Sequence, residues 1–303
     1  MEEGIVFWLQ WQVPISALMI MGPAFFSFYT IKNVKTEPLY FHNLWKPCWR
    51  FLNPLWLLFF RVCAFICLTP MLYEIIAIDG AFAFYFYTQW TFALVMLYFS
   101  LAIVISGYGC FVFSRTENGE IAEFLKRNLE DSAITNGEEG FLKLQNQYGE
   151  GAFRVRCGFW GYAMQAIYQT CAGAVILTDV VFWCVLVPFT HLELNVLMGC
   201  MHSLNAVFLL LDSGLNSLPF PWFRLAYFVL WSCLYIVFQW VIHACGFTWW
   251  PYPFLDLDTP WAPIWYFLLA AIHVPCYGIY ALIVKSKNTV FSKWSPCTFV
   301  RTY

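Results

Sequence analysis

The chain has 303 residues, of which 61% are hydrophobic and only 11% are charged, and its formal net charge is −2. Soluble domains carry about 25% charged residues, so this composition excludes an ordinary soluble fold. The chain shows neither a basic face nor a nucleic-acid-binding motif, which argues against nucleic acid as a partner. Its apolar stretches lack β-barrel alternation, so they predict an all-α, polytopic transmembrane bundle whose natural partners are membrane lipids.

Seven apolar stretches are long enough to cross the hydrocarbon core, which needs about 20 apolar residues per helix. The first is interpreted as a retained helix and not a removed signal peptide, because no small-residue cleavage site follows it cleanly. The chain is then a single membrane domain, 1–303, in either the plasma membrane or the endoplasmic reticulum. The predicted spans, in chain order, are 5–29, 55–77, 84–112, 159–188, 196–217, 223–246 and 262–284.

The Lys and Arg residues predict the orientation of these spans. Cationic residues near span ends stay on the cytoplasmic side. With seven spans, all 16 fall on one side: Lys32, Lys35, Lys46, Arg50, Arg61, Arg115, Lys126, Arg127, Lys143, Arg154, Arg156, Arg224, Lys285, Lys287, Lys293 and Arg301. The N-terminus is therefore predicted to lie outside. The connection 114–158 and the tail 285–303 are predicted to be cytoplasmic.

Two features outside the apolar stretches lead to further expectations. Within 114–158, apolar residues share one helical face over 119–130, which is typical of a short surface helix. Most of the 12 cysteines lie inside spans, where Cys behaves as a small apolar residue. Cys48 and Cys297 lie near the cytoplasmic surface, where they are either S-acylated or left as reduced thiols.

Polar residues inside spans carry most of the functional information, because they are costly there and face the bundle interior. In the fifth span, His202, Asn205, Leu209 and Asp212 fall on one helical stripe. For Asn205 and Asp212, interhelical hydrogen bonds that fix packing account for the stripe as well as chemistry does. His202 has the stronger functional interpretation, since histidine exchanges protons near neutral pH.

The sequence YTQW near the start of the third span supplies a partner for His202. Thr88 and His202 lie about 6 Å and about 9 Å inside the outer ends of their helices, at 1.5 Å rise per residue. A histidine at matching depth can remove the proton of a Thr hydroxyl and make it nucleophilic. A membrane Thr more often bonds its own helix backbone, which is the structural alternative for Thr88.

Other polar residues are assigned lesser roles. Asp179 in the fourth span either pairs with His202 or makes a structural polar contact, and Gln89 is available to orient the base. Arg61 is expected to extend its side chain to the cytoplasmic headgroups. No histidine spacing matches a metal site and no cofactor motif occurs, so neither a metal nor a cofactor is predicted.

Two passages carry a family resemblance. The run MHSLNAVFLLLDSGLNSLPFPWF and the YTQW segment resemble the rolling stone-like multipass membrane proteins, with Gln89 where those proteins have Asn. More distantly, both passages and the loop sequence WWPYPFLD are similar to the androgen-induced and androgen-dependent membrane hydrolases. That similarity implies Thr88 as nucleophile and His202 as base in the hydrolysis of fatty acid esters.

Two functional hypotheses follow. The first is a membrane-embedded hydrolase of a lipid ester, in which Asn205 or Gln89 orients the base or donates to the oxyanion. The second is a non-enzymatic adhesion or fusion factor, or a small transporter, in which the stripe on the fifth span ties helices together or lines a polar path. Under the second hypothesis the Thr88 hydroxyl has no chemical role.

Overall fold

The computed structural model describes the backbone of residues 6–35, 38–131, 156–190 and 194–301, and the side chains of these residues except 116–131 and 189–190. The chain is helical along most of this length. The α-helices, in order, are α1 Gln12–Asn33, α2 His42–Trp45, α3 Pro54–Asp79, α4 Tyr87–Asp131, α5 Phe159–Val181, α6 Val187–Thr190, α7 Val196–Met201, α8 Leu204–Leu215, α9 Leu225–Ala244 and α10 Ala262–Trp294. Short 3₁₀ turns precede α4 and α9 and lie in the loop after α9.

The described residues contain seven helical segments that are long and apolar enough to cross a membrane. No β-strand occurs in the same residues, which form isolated bridges only. The prediction of an all-α polytopic bundle is therefore confirmed, and the protein is a multipass integral membrane protein. The spanning segments are Gln12–Asn33, Pro54–Tyr85, Tyr87–Arg115, Phe159–Leu186, Val196–Leu215, Trp222–Ala244 and Ala262–Trp294.

Several helix boundaries differ from the predicted ones. The first membrane helix begins at Gln12, not at residue 5, so that Pro14 falls in its first turn, where the missing N–H costs no hydrogen bond. The third runs through Asp131, so residues 119–130 continue α4 and do not form a separate surface helix. The last runs to Trp294, so the first part of the predicted tail is helical.

The placement of His202, Asn205, Leu209 and Asp212 on one stripe requires a continuous fifth helix, but the fifth span is interrupted. It consists of α7 and α8, which are interrupted at His202 and Ser203, where the backbone leaves the helical region. His202 is consequently the residue that ends α7, while Asn205, Leu209 and Asp212 lie on α8. All four side chains are buried, but they do not form a single line on one helix.

Helix α5 is the core of the bundle and packs against α4, α9 and α10. The backbone of Gly173 on α5 lies directly beneath the Phe228 ring of α9, where even a methyl group would overlap the ring. Helix α1 packs against α9 and α10 at the periphery and leaves Phe25, Phe26 and Phe28 exposed. Such an apolar outer surface is suited to contact with lipid.

The end of the bundle opposite the loop 245–261 is closed by chain segments that bridge to one another. Arg50 N–H donates to Thr298 O and Val300 N–H donates to Cys48 O, each at 2.8 Å, so the C-terminal segment folds back onto the chain before α3. Cys48 is fully buried there, and burial raises the pKa of its thiol. Of the two S-acylation candidates, only Cys297 is exposed.

Two exposed native cysteines, Cys245 after α9 and Cys297 after α10, provide a test of orientation, because α10 separates them across the bundle. The one-sided distribution of Lys and Arg predicts that Cys297 is cytoplasmic and Cys245 is not. In single-cysteine variants, an impermeant maleimide should label Cys297 after selective opening of the plasma membrane. Cys245 should be labelled on intact cells if the protein lies in the plasma membrane. If it lies in the endoplasmic reticulum, Cys245 should be labelled only after all membranes are opened. If Cys245 reacted from the cytoplasmic side and Cys297 did not, the orientation of the protein would be the opposite of the predicted one.

Candidate functional site

A cavity lies among α4, α5, the turn after α5, α7, α9, α10 and the loop after α9. Its wall includes both Thr88 and His202, so the structure brings the two predicted residues to one site. The other polar wall residues are Tyr87, Thr178, Ser232, Tyr235, Tyr252 and His273, and the apolar ones are Leu177, Val181, Phe182, Leu186, Ile236, Phe254, Leu255 and Leu269.

Thr88 is the second residue of α4, at the helix end whose first N–H groups have no partner within the helix. The Tyr252 hydroxyl lies at this end, where it accepts from the N–H of Tyr87 at 3.2 Å and interacts with the Thr88 side chain and N–H. Burial raises the pKa of the Tyr252 phenol to about 12, although these hydrogen bonds oppose the rise. Tyr252 is therefore protonated at neutral pH and has a proton to donate beside Thr88.

His202 is held by aromatic packing. Its ring stacks on Phe182, with centroids 3.7 Å apart and planes inclined by 4°. Phe182 begins the π-helical turn Phe182–Leu186 that follows α5, and such turns are frequent at functional sites. This turn and the interruption between α7 and α8 together place the imidazole in the cavity wall.

Asp179 lies behind His202, with its Oδ1 4.0 Å from the imidazole Nδ1. Neither atom has a hydrogen-bond partner among the described residues. A proton on Nδ1 would face the carboxylate and leave Nε2 as the basic nitrogen, which is the orientation that a general base needs. Catalytic hydrogen bonds are often long in unliganded proteins and shorten when substrate binds.

The two residues predicted to orient the base or bind the oxyanion do not line the cavity. Asn205 is fully buried, and its Oδ1 accepts from the adjacent N–H of Ala206 at 2.8 Å. The Gln89 Oε1 is buried without a partner in the described part of the chain. In the cavity itself, the polar side chain beside Thr88 is that of Tyr252.

Asp212 belongs to a second buried cluster and not to the cavity. Its Oδ1 accepts from Arg61 Nε at 2.9 Å, and its Oδ2 accepts from the Tyr98 hydroxyl at 2.5 Å and from Asn216 Nδ2 at 2.7 Å. Arg61 also donates to Ser106 Oγ at 2.5 Å. Both charged side chains are completely buried. The expectation that Arg61 reaches the headgroups is wrong, because its counter-ion is inside the bundle.

Comparison with known proteins does not extend this description. Neither family models, nor curated proteins, nor solved structures match the chain.

Tyr252, Ser232 and His273 also line the cavity, although the sequence does not indicate a role there for any of them. The WWPYPFLD loop contains Tyr252, but nothing in its sequence indicates which aromatic residue faces Thr88. Ser232 is paired with the Tyr87 hydroxyl at 2.8 Å, a contact between residues 145 positions apart. Such contacts depend on how α4 and α9 pack.

Proposed function

We propose that the protein is a membrane-embedded hydrolase of a lipid carboxylic ester and a relative of the rolling stone-like proteins. The observation that carries the proposal is the shared cavity of Thr88 and His202, with Asp179 next to the imidazole. A nucleophile, a base and a group that orients the base are the arrangement required for acyl transfer. Eight apolar side chains in the wall suit the hydrocarbon chain of a lipid.

In the proposed reaction, Thr88 Oγ1 attacks the ester carbonyl carbon while His202 Nε2 takes the hydroxyl proton. The Tyr252 O–H donates to the oxygen that becomes negatively charged. When the tetrahedral intermediate collapses, the C–O bond to the alcohol breaks and the imidazolium returns the proton to the departing oxygen. Water then attacks acyl-Thr88 with His202 again accepting a proton, which releases the carboxylic acid and restores Thr88. Asp179 stabilises the imidazolium in both steps.

Labelling by a fluorophosphonate probe tests this proposal. The full chain, purified in nanodiscs, should react with the probe, and Thr88→Ala and His202→Ala should each abolish the reaction. Thr178→Ala is a matched control, because Thr178 lines the same cavity but donates its hydroxyl to Val175 O at 2.9 Å. Thr178→Ala should label like the parent protein. Undiminished labelling of both Thr88→Ala and His202→Ala would show that Thr88 is not the nucleophile and that His202 is not its base.

Part of the stripe has a structural role under either hypothesis. Asp212 is bound by Arg61, Tyr98 and Asn216, so its contacts tie α8 to α3 and α4. Asp212→Asn is therefore expected to damage folding whatever the protein does, and it does not separate the two functions. Thr88→Ala separates them, since a helix-tying or adhesion role leaves that substitution nearly silent.

A further inference from the structure

His273 is a second histidine in the cavity wall, and the proposed reaction does not use it. It lies on α10, is only 6% exposed, and packs its ring against Phe228 of α9 with centroids 4.5 Å apart. Together with Leu269 it forms part of the wall contributed by α10. The ring is therefore held by packing in the wall of the cavity.

The hydrogen bonding of His273 determines which nitrogen is available. Its Nδ1 lies 2.6 Å from the backbone oxygen of Leu269. A carbonyl oxygen only accepts, so Nδ1 carries the proton and Nε2 carries a lone pair. Nε2 is at the far edge of the ring from the α10 backbone, and it is buried without a hydrogen-bond partner among the described residues. A buried acceptor of this kind is costly unless a ligand or water supplies a proton.

The cavity limits which group can supply that proton. None of its described wall residues is Lys, Arg, Asp or Glu, and the Asp179 carboxyl group faces the His202 ring from behind, so the wall itself offers no counter-ion to a charged group on a ligand. A neutral hydroxyl meets both requirements, because it donates to Nε2 and brings no charge into an apolar site. The rest of the ligand would lie against apolar neighbours such as Leu269 and Ile236.

We infer that the ligand of this cavity is a hydrocarbon chain that carries a hydroxyl group, and that this hydroxyl donates to His273 Nε2. This inference rests on the proposed function only in taking the same cavity as the ligand site, since binding does not require Thr88 to react. His273 is thereby assigned a binding role that distinguishes hydroxylated chains from plain ones.

A pair of photoreactive probes tests the assignment. One is a twelve-carbon alcohol with a diazirine in the chain, and the other is its methyl ether, which cannot donate a hydrogen bond. With the full chain in nanodiscs, crosslinking to cavity peptides should reach half-maximum at about threefold to tenfold lower concentration for the alcohol, the range expected for one neutral hydrogen bond. In His273→Phe the two probes should become equivalent, while the ether should bind as it does to the parent protein.

His243→Phe is the matched control. Like His273, His243 has one buried ring nitrogen without a hydrogen-bond partner among the described residues, in its case Nδ1, but it stacks on Trp250 and does not line the cavity. It should keep the preference for the alcohol. The ether reports whether each variant retains an intact cavity. Equal binding of the two probes to the parent protein, or an unchanged preference in His273→Phe, would overturn the assignment. Neither probe is hydrolysed, so this result does not depend on the Thr88–His202 mechanism. Failure of that mechanism would be seen in the fluorophosphonate labelling and not in the crosslinking.

Discussion

Replacing Thr88 by alanine should lower kcat for hydrolysis of a lipid ester by about 10³-fold or more, because the proposed covalent route passes through the acylated Thr88 side chain. His202→Ala should lower kcat by about 10²- to 10⁴-fold, the usual contribution of a general base. KM should change little in either variant, since the proposed site binds the acyl chain through its apolar wall and not through these two residues. Steady-state rates with a long-chain ester, measured on purified protein in nanodiscs, provide the values.

Further variants identify the roles within the site. The double variant Thr88→Ala/His202→Ala should be no slower than the slower single variant, because the two residues act as one unit. Tyr252→Phe should cost about 10²-fold in kcat if its O–H stabilises the oxyanion. Ser232→Ala removes another cavity hydroxyl and should leave most activity intact. Full activity in Thr88→Ala, or loss of activity in Ser232→Ala alone, would contradict the assignment of the nucleophile.

The second large effect concerns the fully buried pair of Arg61 and Asp212, whose Nε and Oδ1 atoms are 2.9 Å apart. Arg61→Met should lower the free energy of unfolding by about 3–5 kcal/mol, because it leaves the Asp212 charge buried without its counter-ion. Adding Asp212→Asn to Arg61→Met should recover a large part of that loss, since no buried charge remains. Thermal or detergent-induced unfolding, followed by circular dichroism, measures both changes.

Lys285→Met is the control for this pair, because it removes a cation from an exposed position on α10. Its effect on the free energy of unfolding should stay within about 0.5 kcal/mol. If Arg61→Met is as mild as Lys285→Met, the buried pair does not stabilise the bundle. If the double variant is no better than Arg61→Met, the cost lies in lost packing and not in the charge of Asp212.

The membrane helices were predictable because hydropathy is a local property. Each spanning segment is a continuous apolar stretch, so its position could be predicted without knowledge of its neighbours. The ends were less predictable, since helices extend beyond the hydrocarbon core wherever the sequence allows it. The continuation of α4 to Asp131 and of α10 to Trp294 shows this.

The presence of Thr88 and His202 in one cavity could be anticipated in part, because both residues were expected near one depth in the membrane. The position of the His202 ring could not be anticipated, since it depends on stacking against Phe182, which belongs to another segment of the chain. The partner of Asp212 was equally hidden, because Arg61 lies 151 positions away along the chain. The depth of a residue in the membrane can be predicted from the sequence, whereas the side chains that two helices turn toward each other depend on how the helices pack.

The most direct test of the proposed chemistry is to locate the fluorophosphonate adduct by proteolysis and mass spectrometry of the labelled full chain. We expect the phosphonyl group on Thr88 Oγ1, with no adduct when His202 is replaced by alanine. An adduct on Ser232 or Thr178, or labelled protein with Thr88 unmodified, would contradict the assignment of Thr88 as the nucleophile.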